Sequence, residues 1–157
     1  VRALAFTDAL TRLAEFSCRQ ARCTDWPAGL PPVGESIRKR LRRLRRRIRQ
    51  DGRRFPELPF DQQHDVRKRL KRLQFLTQFV APQVHLKTDA AWQKRADKTL
   101  AALGRHIDLC QATRTFQAIA SLNPQAWFAI GWLRAKQDES ARAGQQLLAR
   151  LSRTRRI

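Results

Sequence analysis

The sequence predicts an all-α protein, an up-and-down helical bundle of the four-helix type carrying one additional N-terminal helix. Three observations lead there. Apolar residues recur at spacings of three and four along most of the chain, β-branched residues nowhere alternate with polar ones, and prolines and glycines punctuate the periodic stretches at intervals suited to short connectors. With 157 residues and 42% hydrophobic content, the chain has enough apolar material for a real core.

The first helix is expected from about Arg2 to Arg22, with Leu4, Ala9, Leu10, Leu13 and Phe16 facing inward. The loop from Trp26 to Pro32 ends it, because its prolines remove amide donors and restrain their predecessors. A second helix, Glu35 to Gln50, keeps Ile37, Leu41, Leu44 and Ile48 in register within a run of arginines. A disordered basic tail has no reason to keep such a stripe, whereas a helix packed along one seam does. Asp51-Gly52 should close it, with the glycine in the left-handed conformation past the last turn.

The third helix is expected from Asp61, a good N-cap, to Ala81, where Pro82 stops it. A fourth runs from Asp89 to Ala120, with Gly104 a candidate bend. Asn123-Pro124 opens a fifth, reaching Ser152, with Phe128, Leu133, Leu147, Leu148 and Leu151 as candidate core. Trp127 and Trp132 are read as core too, since large aromatics dominate helical cores. The division follows as residues 1–34, an N-terminal helix with a proline-rich loop, and 35–157, the bundle. The chain opens on Val1 within helical sequence and contains no Met, so a fragment of a longer chain is expected.

Charge points to the partner. Against 33 Lys and Arg stand 13 Asp and Glu, a formal net charge of +20, and such self-repulsion is normally relieved by binding anions. A ligand made of linked phosphates would release counterions on binding, so its affinity should fall steeply with salt. Cys18, Cys23 and Cys110 are an odd set without a CxxC pair, which suits a reducing compartment, so a cytoplasmic location is expected. The sequence has no apolar run of membrane-spanning length and no signal segment, and no membrane partner is expected.

On a helical wheel the third helix has two faces. Val66, Leu70, Leu73 and Val80 share one, while His64, Arg67, Lys68 and Lys71 lie on the other at spacings of zero, three, four and seven. Side chains stacked in this way reach successive phosphates, arginine by a planar fork and lysine as a mobile charge. His64 falls in the first turn, where free amides and the helix dipole favour an anion. The alternative, a merely solvated face, would mix both signs of charge. Here Asp65 stands against five bases once Arg69 and Arg72 are counted. The second helix repeats the spacing with Arg42, Arg45, Arg46 and Arg49, but bases cover nearly every direction there, and which of them face a ligand stays open.

The pattern His64-x-x-Arg67-x-x-x-Lys71-Arg72-x-x-Phe75 resembles the histidine motif of CHAD domains. The basic helix before it, Leu100-x-x-Leu103-Gly104-x-x-x-Asp108 after it, and Gly131-Trp132-Leu133 near the end follow the order of features in that family's C-terminal half, over roughly residues 35 to 151. The resemblance implies a helical bundle that binds inorganic polyphosphate along a basic channel. It carries the ligand-binding role to His64, Arg67, Lys71 and Arg72; Lys68 and, in the preceding helix, Arg42, Arg45, Arg46 and Arg49 join them on spacing and charge. The family usually has two histidine motifs in two similar halves and only one occurs here, so a preceding half or a second copy would complete the channel. Gln74 stands where the family typically has another base, and Ala101 replaces a common glutamine.

No cofactor is expected, and no catalysis. The sequence holds no GxxxxGK[ST] loop, no HExxH and no alternating glutamates suited to magnesium. His85 and His106 have no companions at metal-ligand spacing and read as surface or packing histidines. Two alternatives to polyphosphate remain, a nucleic-acid-binding helical protein and an adaptor docking on anionic granules.

Overall fold

The computed structural model describes residues 33–80 and 89–153, in four α-helices: α1 (Val33–Gly52), α2 (Phe60–Phe75), α3 (Ala90–Ile119) and α4 (Ala126–Arg153). A single 3-10 turn, Phe55–Glu57, joins α1 to α2, and α2 continues into a π-helical turn over Leu76–Val80. No strand occurs among the described residues. The chain divides into two compact units at Pro32, and the four helices belong to the second. The expected first helix, with Cys18, Cys23, Trp26 and also His85, lies outside the described residues.

α1 packs on α2 and α4, and α3 packs on the same two helices, so the four form a ring in chain order with α1 and α3 on one diagonal. Each helix contributes one apolar face to the shared core, which includes Leu41 and Ile48 from α1, Val66, Leu70 and Leu73 from α2, Trp92, Ala96 and Leu103 from α3, and Leu148 and Leu151 from α4. The 3-10 turn adds Phe55, which is fully buried. Gly144 makes room for it: a Cβ there would sit 3.3 Å from the Phe55 ring and 3.1 Å from Leu103. A smaller cluster of Ala120, Ala126, Ile130 and Phe116 closes the α3–α4 hairpin at its tip.

Helix boundaries follow local chemistry, with two departures from the sequence reading. Pro59, in extended conformation, precedes α2, which places Asp61 inside the first turn and not at the cap, and puts His64 in the second turn and not in the first as expected from sequence. Gly52 is the last residue of α1 and takes no left-handed conformation; a Cβ there would lie 3.1 Å from Leu148, so its smallness serves helix packing. Asp89 caps α3 as expected, accepting from the Ala91 amide at 2.9 Å. Asn123 accepts from the Gln125 amide at 3.1 Å, and i to i+3 bonds from Ala126, Trp127 and Phe128 wind the chain into α4.

The aromatic assignment in α4 needs correction. Trp127, Phe128 and Trp132 are 61%, 83% and 56% exposed. Within α4 the faces toward α1 and α3 are already filled by Ala126, Ile130, Leu133 and Ala141, which leaves the three rings on the outer side. Among the described residues, Trp92 is the tryptophan that enters the core.

Candidate anion-binding site

Two contacts fix how α2 sits in the ring. Arg69 forms an ion pair with Asp51 at the end of α1, while Arg67 lies against Gly104 of α3, its Nε 3.6 Å from where a Cβ would be. The α1 side of α2 is therefore the side of Asp65 and Arg69, and the α3 side is that of Arg67. Arg69, counted with the bases from sequence, is committed to Asp51 and also approaches Asp65 at 3.8 Å. It serves the α1–α2 joint.

His64, Arg67 and Lys71 fall on the α3 side at wheel positions within about 60° of one another. Gln74 continues the row and donates to Asp97 of α3. Arg67–Gly104 and Gln74–Asp97 run in opposite directions along the two helices, so Lys71 and the short Ala101 face the same groove between these contacts. Arg67 is half-buried on the groove floor and Lys71 is exposed above it. Gly104 lies in unbroken helix. Its missing side chain is the space through which the Arg67 guanidinium passes.

Arg67 Nε is buried and has no hydrogen-bond partner among the described residues. A buried charged donor left unmatched costs about 1–3 kcal/mol or more, which an anion oxygen placed in the groove would recover.

The start of α2 forms the other end of the groove. His64 is half-buried and stacks on Phe60, ring centroids 6.3 Å apart at 19°. Arg114 of α3 holds its guanidinium carbon 3.9 Å from the centre of the same Phe60 ring. Phe60, the first residue of α2, thus brings a histidine and an arginine from two helices to one place. Arg114 was invisible to sequence reasoning, because no local spacing links it to His64.

Lys68 is exposed, points outward from the groove edge and lies 3.9 Å from Asp65. Arg72 is exposed on the α1 side. On α1, Arg42, Arg45 and Arg49 share the side that meets α4: Arg49 borders a shallow groove with Gly52, Arg53, Gln145, Ser152 and Arg153, and Arg45 stands one turn before it. Burial, reinforced by the neighbouring charge of Arg49, lowers the pKa of the Arg45 guanidinium from its ordinary value. Arg46 is exposed and points away from the bundle. The α2–α3 and α1–α4 seams are on opposite flanks of the ring, so the two basic rows do not line one common groove.

Behind the α2–α3 groove sits a buried polar relay. His106 of α3, 2% exposed, is 2.9 Å from Gln63 Oε1 through Nε2 and 2.8 Å from Ser140 Oγ through Nδ1. Gln63 donates its amide to the Phe55 carbonyl at 3.1 Å, which leaves Oε1 to accept from His106 Nε2–H. Ser140 Oγ, beside Nδ1, donates its hydroxyl to the Gln137 carbonyl at 2.9 Å. Desolvation holds the pKa of His106 below the ordinary histidine value, partly opposed by the Gln137 backbone. Cys110, 3.6 Å from the same ring, has its thiol pKa raised by burial. His106 is a packing histidine, as expected from sequence, and it ties α2, α3 and α4 together.

Among the described residues no helix is long and apolar enough to cross a membrane. No group of three or more His, Cys, Asp or Glu there is placed to hold a metal ion.

No curated protein and no solved structure matches the chain. A family model, the CHAD domain, matches residues 1–117. That span includes the segment before α1 and all of α2, and it ends within α3, so Gly131-Trp132-Leu133 lies beyond it. With most of its length covered, including the histidine motif and the Gly104 against which Arg67 packs, the chain belongs to the CHAD domain family.

Proposed function

We propose that this protein binds inorganic polyphosphate, without catalysis, in the groove between α2 and α3. His64, Arg67, Lys68 and Lys71 supply the contacts, and Arg114 extends them at one end. The observation that carries this reading is Arg67: a guanidinium laid across a glycine, with a buried donor awaiting an acceptor. Membership in the CHAD family supports the choice of polyphosphate among polyanions. The exposed arginines Arg42, Arg46 and Arg49, with Arg45 and Arg72, surround the bundle with positive potential that draws a polyanion in.

Single-stranded nucleic acid is the competing ligand, since such sites combine a basic groove with aromatic stacking platforms. Of the exposed rings, Phe75 and Phe79 pack on each other at the end of α2, and Trp127, Phe128 and Trp132 lie in a stretch with no charged residue between Arg114 and Arg134. A strand stacked on the latter would leave its phosphates without partners. Docking on an anionic granule would use the same basic groove and differs only in where the polymer is held.

Calorimetric titration with long-chain polyphosphate, and with single- and double-stranded nucleic acid of equal charge, at several salt concentrations tests the proposal. Polyphosphate should bind more tightly than either nucleic acid, with an affinity that falls as salt rises. No polyphosphate binding at low salt together with tight duplex binding would overturn it.

A further inference from the structure

The first three turns of α4 present a surface that no other described helix covers. Trp127, Phe128 and Trp132 lie on or beside its outer side, and Leu122 of the preceding turn is 86% exposed. Gly131 lies among the rings in the helix interior, where glycine costs about 1 kcal/mol relative to alanine. A Cβ built on Gly131 meets nothing within 4 Å. Gly52, Gly104 and Gly144 each have a close neighbour that explains them; Gly131 has none among the described residues.

We propose that this stripe is a self-association surface, on which two copies of the chain pack α4 against α4 across Gly131. Three features choose a second copy over other occupants. First, the absence of side chain at Gly131 lets another helix approach closely, with rings from both copies filling the space to either side. Second, the chain carries +20 overall, yet no charged residue occurs from Thr115 to Leu133. Two copies therefore meet where their mutual repulsion is least, and an acidic partner finds no base there to pair with. Third, Leu122 and the three rings expose on the order of 500 Å² per copy. An isologous pair would bury about 1,000 Å², the lower limit for a specific interface, which fits a weak reversible dimer.

Sedimentation velocity over micromolar to submillimolar concentrations tests this independently of polyphosphate. The wild type should pass from monomer to dimer with a Kd on the order of 10–100 μM. Added salt should strengthen the dimer by screening repulsion, the opposite of its expected effect on polyphosphate binding. Phe128→Glu should weaken dimerisation at least tenfold and leave the thermal melt unchanged. Gly131→Leu should also produce monomer while raising the melting temperature, since leucine is the better helix former. A wild type that stays monomeric throughout, or a Phe128→Glu dimer as tight as wild type, overturns the proposal. So does a monomeric wild type that floats with phosphatidylcholine–phosphatidylserine vesicles while Phe128→Glu does not, a result that assigns the stripe to a lipid surface.

Discussion

Arg67 and Gly104 are a matched pair: the guanidinium of one, on α2, lies 3.6 to 3.7 Å from the point where the other, on α3, would carry its Cβ. That distance is ordinary van der Waals contact, so it grades substitutions sharply. Gly104→Ala fits and should stabilise the bundle by about 0.5–1 kcal/mol through helix propensity, with polyphosphate affinity held within about twofold. Gly104→Leu extends into the path of Arg67, and should weaken binding about tenfold or more at a smaller cost in thermal stability. Melts and calorimetry on the two variants give the comparison.

Arg67 and Lys71 should differ in weight although both belong to the histidine motif. Arg67 is half-buried, so Arg67→Ala is expected to remove about 1–3 kcal/mol of binding, some ten- to hundredfold. Lys71 is exposed, and Lys71→Ala should cost about 1 kcal/mol or less. Both variants should melt close to the wild type, and an Arg67→Lys variant should recover charge without the planar fork and bind between the two. Titration at a single fixed salt concentration ranks all four proteins.

His106 gives the bundle a pH dependence of predictable sign. Its pKa is depressed in the folded protein, so below the unfolded value, about 6.5, the unfolded chain binds more protons than the native one. Stability should hold above that pH and fall as the pH drops through it toward the folded pKa. His106→Leu should abolish this slope and cost about 1–3 kcal/mol, because Gln63 Oε1 loses its donor in a buried position. Urea titrations at pH values on both sides of the transition measure both effects.

The helices were legible because their apolar positions obey one period. Ile37, Leu41, Leu44 and Ile48 announce α1 within an arginine run, and the structure sets the same four against the core. Faces with a single helix's logic were legible as well: the wheel separates Val66, Leu70 and Leu73 from His64, Arg67 and Lys71. What a wheel does not contain is the neighbour. Arg69 looked like one more base until Asp51, eighteen positions earlier, came to face it. Gly104 read as a bend because a glycine in a helix has a local explanation, whereas its actual partner belongs to another element. The exposed rings of α4 misled for a related reason. Aromatic content signals burial only if some surface is left to cover it, and Ile130, Leu133 and Ala141 had already taken the inward positions.

The opposed placement of the two basic rows has a kinetic meaning. In the proposed mode a polyphosphate chain seated between α2 and α3 would be held by His64, Arg67 and Lys71, and these should set how long it stays. Arg42 and Arg49, on the far flank, touch it little but add to the field that it meets on approach. Neutralising them should slow arrival and flatten its salt dependence while leaving departure nearly unchanged, so that one ring of helices divides capture from retention between its two sides.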